Sequence, residues 1–87
     1  IVAYEPIWSI GTGKIPTALE LKKTTIHIKK VLKEIFKNTS LAVLYGGSVD
    51  GSNVKMFKEI KEIDGFLIGG ASKSSKKFID IIKNYYR

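Results

Sequence analysis

Leu41-Ala42-Val43-Leu44-Tyr45-Gly46-Gly47-Ser48 is a run of apolar residues without alternation, closed by two glycines and a serine. A strand with one wet face alternates apolar and polar residues, whereas a strand covered on both faces does not. Residues 41–45 therefore read as a strand of a parallel sheet, and Gly46-Gly47-Ser48 as the turn at its carboxyl end. The same design recurs on either side. Downstream, Asp64-Gly65 turns the chain into Phe66-Leu67-Ile68, which ends at Gly69-Gly70. Upstream, Ile1-Val2-Ala3-Tyr4 is a third apolar run. Glu5-Pro6 stops it, because proline has no N–H for a ladder and holds the residue before it extended.

The intervening segments read as helices. Thr17-Ala18-Leu19-Glu20 fits a capping box, after which Leu21, Thr25, Ile28, Leu32 and Ile35 recur at spacings of four and three on one face. This predicts a helix over 18–36, with Asn38-Thr39-Ser40 as its exit. A shorter helix over 52–62 is expected to bury Val54, Phe57 and Ile60, and a last one over 74–85 to carry Phe78, Ile81, Ile82 and Tyr85 inward. The order is β-α-β-α-β-α, an α/β chain with a parallel sheet, read as one unit over 1–87.

Composition narrows the chemistry. The 87 residues are 44 % hydrophobic and 26 % charged, which is globular and neither collagen-like nor disordered. With no cysteine and His27 as the only histidine, disulfides, thiolate sites and a histidine-rich metal cluster are excluded within this sequence. No apolar stretch approaches the ~20 residues of a membrane span, and no export leader is visible, so a cytoplasmic protein is expected. The opening on a buried-type strand is read as the inside of a longer chain. Fifteen basic residues stand against eight acidic, a net charge of +7, but fourteen of the fifteen are lysine and most fall in the helical stretches. A nucleic-acid surface favours arginine forks with interleaved aromatics. The lysines are therefore read as a solvated surface with some pull on anionic substrates.

In parallel α/β folds, ligands collect at the carboxyl ends of the strands. Here those ends carry Glu5, Gly46-Gly47-Ser48 and Gly69-Gly70. Glycine turns let a backbone approach an anion closely, and two of them after consecutive strands point to a phosphate site, although each alone is also an ordinary tight turn. Glu5 is placed either as a general base or as half of a structural ion pair, with Lys14 or with a segment outside this sequence. Trp8 is a candidate core residue, but between Pro6 and the Gly11-Thr12-Gly13 tip it also suits a lid with stiff ends and a loose centre. His27 is expected to be a half-buried packing residue.

Three ordered motifs carry a family resemblance. Ala3-Tyr4-Glu5-Pro6-Ile7-Trp8-Ser9-Ile10-Gly11-Thr12-Gly13-Lys14 resembles the catalytic-glutamate and lid segment of triosephosphate isomerases. Tyr45-Gly46-Gly47-Ser48-Val49 resembles their seventh-strand loop, and Asp64 to Ser72 their eighth. The resemblance implies the C-terminal three βα units of a (β/α)8 barrel. It further implies interconversion of dihydroxyacetone phosphate and glyceraldehyde 3-phosphate in glycolysis and gluconeogenesis, by a homodimer, with no metal or organic cofactor. Glu5 is then the base that moves a proton through an enediolate. Gly11, Ser48, Gly69 and Gly70 bind the phosphate; Pro6, Ile7, Trp8, Thr12, Gly13 and Lys14 form the lid, latched through Tyr45 and Ser48. The family is itself a standard illustration of lid-gated acid–base catalysis, so this part of the mechanism comes with the resemblance. Its substrate-binding lysine and electrophilic histidine come from other strands, and His27 does not match that histidine, so the 87 residues alone are expected to be inactive. Ser9 stands where the family usually has alanine, Ile15-Pro16 replaces a commoner pair at the second hinge, and Lys73 replaces a leucine. Two other readings fit parts of the pattern: a different phosphate-binding barrel, and a basic module without catalysis.

Overall fold

A computed structural model describes residues 1–37 and 40–87. The elements are β1 (Val2–Tyr4), α1 (Ala18–Ile35), β2 (Val43–Tyr45), α2 (Val54–Lys58), β3 (Gly65–Phe66), a 3-10 turn of helix (Gly70–Lys73) and α3 (Ser75–Tyr85). The strands form one parallel sheet in the order β1-β2-β3. Val2 lies beside Val43 and Tyr4 beside Tyr45, while Tyr45 also pairs with Phe66. The ladder runs on beyond the strands, through Gly46 N–H to the Tyr4 carbonyl and Leu67 N–H to that of Tyr45, both at 2.9 Å. All three strands therefore deliver their following loops to the same end of the sheet.

The capping box forms as the sequence requires. Glu20 N–H donates to Thr17 Oγ1 at 3.1 Å and Thr17 N–H to the Glu20 carboxylate at 3.3 Å. Only the first part of the α1 stripe is covered. Leu21 and Thr25 are buried, Ile28 and Leu32 half-buried, and Ile35 is 62 % exposed. The reason is length. An 18-residue helix extends about 27 Å, against about 10 Å for a three-residue strand, so α1 outruns the sheet. His27 is likewise exposed, which corrects the expectation of a half-buried packing role. Of the expected exit of α1, Asn38 and Thr39 lie outside the described residues.

α2 and β3 are shorter than their sequence pattern suggests, while α3 with its Ser74 cap fills the expected 74–85. In α2, Val54, Phe57 and Ile60 are buried as expected, but the helix is confined to Val54–Lys58. Asp50 holds the preceding residues in a turn, and Ile60 N–H bonds back to the Phe57 carbonyl at 3.0 Å in place of a helical bond. Strand β3 is two residues long because the chain bends away into the 3-10 turn, leaving Leu67 46 % exposed. On α3 only Ile81 is buried; Tyr85 is half-buried, while Phe78 and Ile82 stay exposed where no described element meets them.

Leu21, Tyr45, Val49, Val54, Phe57, Ile60 and Ile81 form the core. Aromatic rings thread it from sheet to α3: Tyr45–Phe57 at 4.7 Å, Phe57–Phe66 at 6.1 Å and Phe66–Tyr85 at 6.0 Å between centroids, tilted or edge-on. Below the sheet, Asp64 accepts from Val43 N–H at 2.8 Å and pairs with Lys29 at 2.9 Å, joining α1 to two strands. No helix among the described residues is long and apolar enough to cross a membrane.

Candidate functional site

The three strand ends open on one cleft of about 940 Å³. Its walls include Glu5 after β1, Gly46, Gly47 and Ser48 after β2, and Gly69 and Gly70 after β3. Gly11 and Gly13 reach it from the loop between β1 and α1. Residues from opposite ends of the sequence thus meet because parallel pairing places consecutive strand ends side by side.

The glycines at the β2 exit are needed for space. A Cβ at Gly46 would stand 2.7 Å from Glu5 Cγ, and one at Gly47 would overlap the Tyr45 hydroxyl and crowd Ser9 Oγ. Gly46 therefore leaves room for the Glu5 side chain to pass over the turn into the cleft. Glu5 is exposed, and among the described residues the one salt bridge is Lys29–Asp64, so the Glu5–Lys14 ion pair is not formed. At Gly69 and Gly70 a Cβ would meet open space, so that turn is uncrowded on the cleft side.

Residues 6–14 fold into a compact flap. Pro6 and Ser9 are buried, while Ile7, Trp8 and Ile10 face solvent, which moves Trp8 out of the candidate core. Ser9 donates both its N–H and its hydroxyl to the Pro6 carbonyl, each at 2.9 Å. Thr12 Oγ1 donates to the Trp8 carbonyl at 2.8 Å and accepts from Lys14 N–H at 3.1 Å. Gly11 and Gly13 have φ of 65° and 77°, a left-handed backbone that glycine adopts at little cost. Ser48 ties this flap to the β2 turn, accepting from Gly13 N–H at 3.1 Å and donating to the Ser9 carbonyl at 2.7 Å.

Tyr45 is buried under the turn, and among the described residues its hydroxyl makes no hydrogen bond. Burial pushes the phenol above its ordinary value, and Tyr4 adds to that; the Ser9 hydroxyl, which could oppose the shift, donates to the Pro6 carbonyl instead. Asp50 holds the start of α2, accepting at one oxygen from Ser52 N–H at 2.8 Å, Ser52 Oγ at 2.6 Å and Asn53 N–H at 3.0 Å. These bonds, that from the Ser52 hydroxyl foremost, hold its carboxyl below the usual range. Asn53 in turn donates to the Ser48 carbonyl at 2.8 Å, bracing the residue that ties down the flap.

The sequence marks Ser9 only as a departure from the family's usual alanine, and it gives no role to Asp50 or Asn53. The Asp50-Gly51-Ser52-Asn53 string is an Asx-turn signal that was available. Nothing in the sequence indicates that Ser9 is buried, because that depends on how the flap folds back on Pro6.

The triosephosphate isomerase family model matches residues 1–85. Among curated relatives, the triosephosphate isomerase of Chlamydia abortus is 41 % identical over 90 aligned residues, covering the whole of this chain and 35 % of its own length. That of Psychrobacter cryohalolentis is 48 % identical over 82 residues (93 % of this chain, 30 % of its own), and that of Dehalococcoides mccartyi 46 % over 86 (95 % and 34 %). The chain thus spans about a third of the length of the relatives it matches.

Proposed function

The chain belongs to the triosephosphate isomerase family, and from that premise we propose that the complete protein interconverts dihydroxyacetone phosphate and glyceraldehyde 3-phosphate. On this reading residues 1–87 supply the last three βα units of a (β/α)8 barrel, in a cytoplasmic homodimer that serves glycolysis and gluconeogenesis without a cofactor. The observation that carries it is the convergence of Glu5, two glycine turns and a tied flap on one cleft.

Glu5 removes a proton from one substrate carbon and returns it to the neighbouring carbon of the enediolate. Its carboxylate arrives from a strand end rather than from a long loop, so its position is set by the sheet. Gly11, Ser48, Gly69 and Gly70 offer backbone N–H groups to the phosphate. The flap Pro6-Ile7-Trp8 to Thr12-Gly13-Lys14 closes over the substrate and excludes water, which protects the enediolate from losing phosphate. Ser48 is the latch of that flap. Tyr45, whose hydroxyl has no partner among the described residues, gains one when substrate draws the flap fully closed. The electrophile that polarises the carbonyl comes from outside these residues.

Glu5→Gln in the complete protein tests the reading. The amide keeps the shape and removes the base, so turnover should fall by roughly 10²–10⁴, with affinity for inorganic phosphate changed far less. A variant keeping more than a tenth of the wild-type turnover would show that Glu5 is not the base.

A further inference from the structure

Tyr45 carries a polar group into a place where nothing satisfies it. Its side chain is 1 % exposed, and among the described residues its hydroxyl has no hydrogen-bond partner. A buried donor left unpaired is costly, so a flap position that supplies a partner is favoured over one that does not.

The Ser9 hydroxyl is the group at hand. Ser9 is 0 % exposed, and its oxygen borders the same gap above Gly47 as the phenol oxygen. A Cβ at Gly47 would overlap the Tyr45 hydroxyl and stand 2.8 Å from Ser9 Oγ, so the glycine keeps that gap open. A serine hydroxyl has one proton and two acceptor lone pairs. The Ser9 proton goes to the Pro6 carbonyl at 2.9 Å, and no described group donates to its lone pairs. The same carbonyl takes the Ser9 N–H at 2.9 Å, so it is satisfied without the hydroxyl. Other partners near the flap are committed or lacking. Pro6 and Pro16 are buried, and neither has an N–H to offer the phenol oxygen. Ser48 Oγ already gives its proton to the Ser9 carbonyl and accepts from Gly13 N–H.

We propose that Ser9 is a positioning residue: as the flap closes, Tyr45 O–H donates to Ser9 Oγ while Ser9 keeps donating to the Pro6 carbonyl. The proposal rests on the flap closure of the isomerase reading above and names the partner that closure gives to Tyr45. The relay Tyr45–Ser9–Pro6 joins the end of β2 to the first hinge of the flap, beside Glu5. It is absent from the conformation described above, so only closure gains it. A contact made in one of two states shifts their balance by its own worth, and a ligand then closes the flap at lower concentration. Alanine, which the family usually carries at this position, has no oxygen to accept the bond.

The test uses the complete protein with Trp8 as its single tryptophan. Ser9→Ala, Tyr45→Phe and the double variant are titrated with inorganic phosphate, and the midpoint of the Trp8 emission change is read. Each single variant should raise the midpoint about fivefold, the equivalent of a net hydrogen bond of about 1 kcal/mol. The double variant should be no worse than either single one, because both remove the same bond. If Ser9 only packed the flap against Pro6, its loss would be independent of Tyr45, and the double variant would shift about twenty-five-fold. Additive effects overturn the proposal, as does a shift below twofold in either single variant or a wild-type Trp8 signal that phosphate leaves unmoved. A structure of the wild type saturated with phosphate needs no variant: the Tyr45 and Ser9 oxygens should stand about 2.7–2.8 Å apart, the usual O–H···O separation. A phenol bonded there to Ser48, or still without a partner, refutes the bond. Turnover of wild type and Glu5→Gln judges the isomerase reading apart from this: a protein that fails there still shows coupled Trp8 midpoints if the bond forms, and an active isomerase shows additive ones if it does not.

Discussion

Ser48→Ala tests the flap tie most directly. Ser48 Oγ makes two bonds across more than thirty residues of sequence, from Gly13 N–H at 3.1 Å and to the Ser9 carbonyl at 2.7 Å. A net hydrogen bond contributes about 0.5–1.5 kcal/mol, least where water can replace the lost partner. The Gly13 bond is exposed and belongs at the low end; the Ser9 bond is half-buried and shorter, and belongs higher. Their sum is about 1–2 kcal/mol, a factor of roughly 5–30 in the ratio of tied to untied flap. Trp8 sits in the flap with 46 % of its surface exposed and reports its position. In the complete protein, with other tryptophans replaced, Trp8 emission should need correspondingly more phosphate to reach its closed value. The Ser48→Thr variant, which keeps the hydroxyl, should respond like wild type. If Ser48→Ala follows the wild-type titration within twofold, the tie has no energetic weight and the latch is wrong.

Three further outcomes are expected. Gly47→Ala should destabilise by about 1–3 kcal/mol through overlap with the Tyr45 hydroxyl; adding Tyr45→Phe should recover part of it, and denaturant titration of the single and double variants checks both. Asp64 has its carboxyl held down, by the Val43 N–H first and Lys29 second. A lowered folded value stabilises above the unfolded pKa of about 3.9 and is lost as pH falls through the folded value, so thermal midpoints should drop below about pH 4 and Asp64→Asn should flatten that limb. Expressed alone, the 87 residues should melt without a sharp transition and show no isomerase activity. Among the described residues β1 and β3 are unpaired on their outer edges, and Ile79 and Ile82 lie exposed; a cooperative melt with measurable turnover would refute this.

What could be read from the sequence divides along physical lines. Non-alternating runs, glycine exits and the Thr17–Glu20 box are local signals, and they yield the element order, the parallel sheet and the capped start of α1. Helical periodicity identifies a face but not what covers it. Ile35, Phe78 and Ile82 lie on such faces and are nonetheless exposed, since burial is a property of the neighbour as much as of the pattern. Strand β3 is shorter than its apolar run for a similar reason: after Phe66 only Leu67 N–H still bonds to β2, at the Tyr45 carbonyl, and the chain then turns into the 3-10 helix. His27 lies beside the stripe on α1 and faces water, because periodicity does not fix how far the covered face extends around the helix.

The site shows how local and non-local information combine. Glu5 and the two glycine pairs are recognisable because each is the last word of a strand, and parallel pairing alone brings strand ends together. The supporting groups are not recognisable in this way. Ser9 is buried only because the flap folds onto Pro6, Asn53 reaches Ser48 only because Asp50 fixes the intervening turn, and Gly47 is required only because Tyr45 passes beneath it. Each of these depends on one side chain meeting a backbone that another element has positioned. The residues that line the cleft can thus be found from strand ends, whereas the residues that hold them steady require the fold. It follows that substitutions at Ser9 or Asn53 should alter flap behaviour while leaving Glu5, the proposed proton-transfer group, untouched, which is the separation that Ser48→Ala and Glu5→Gln together measure.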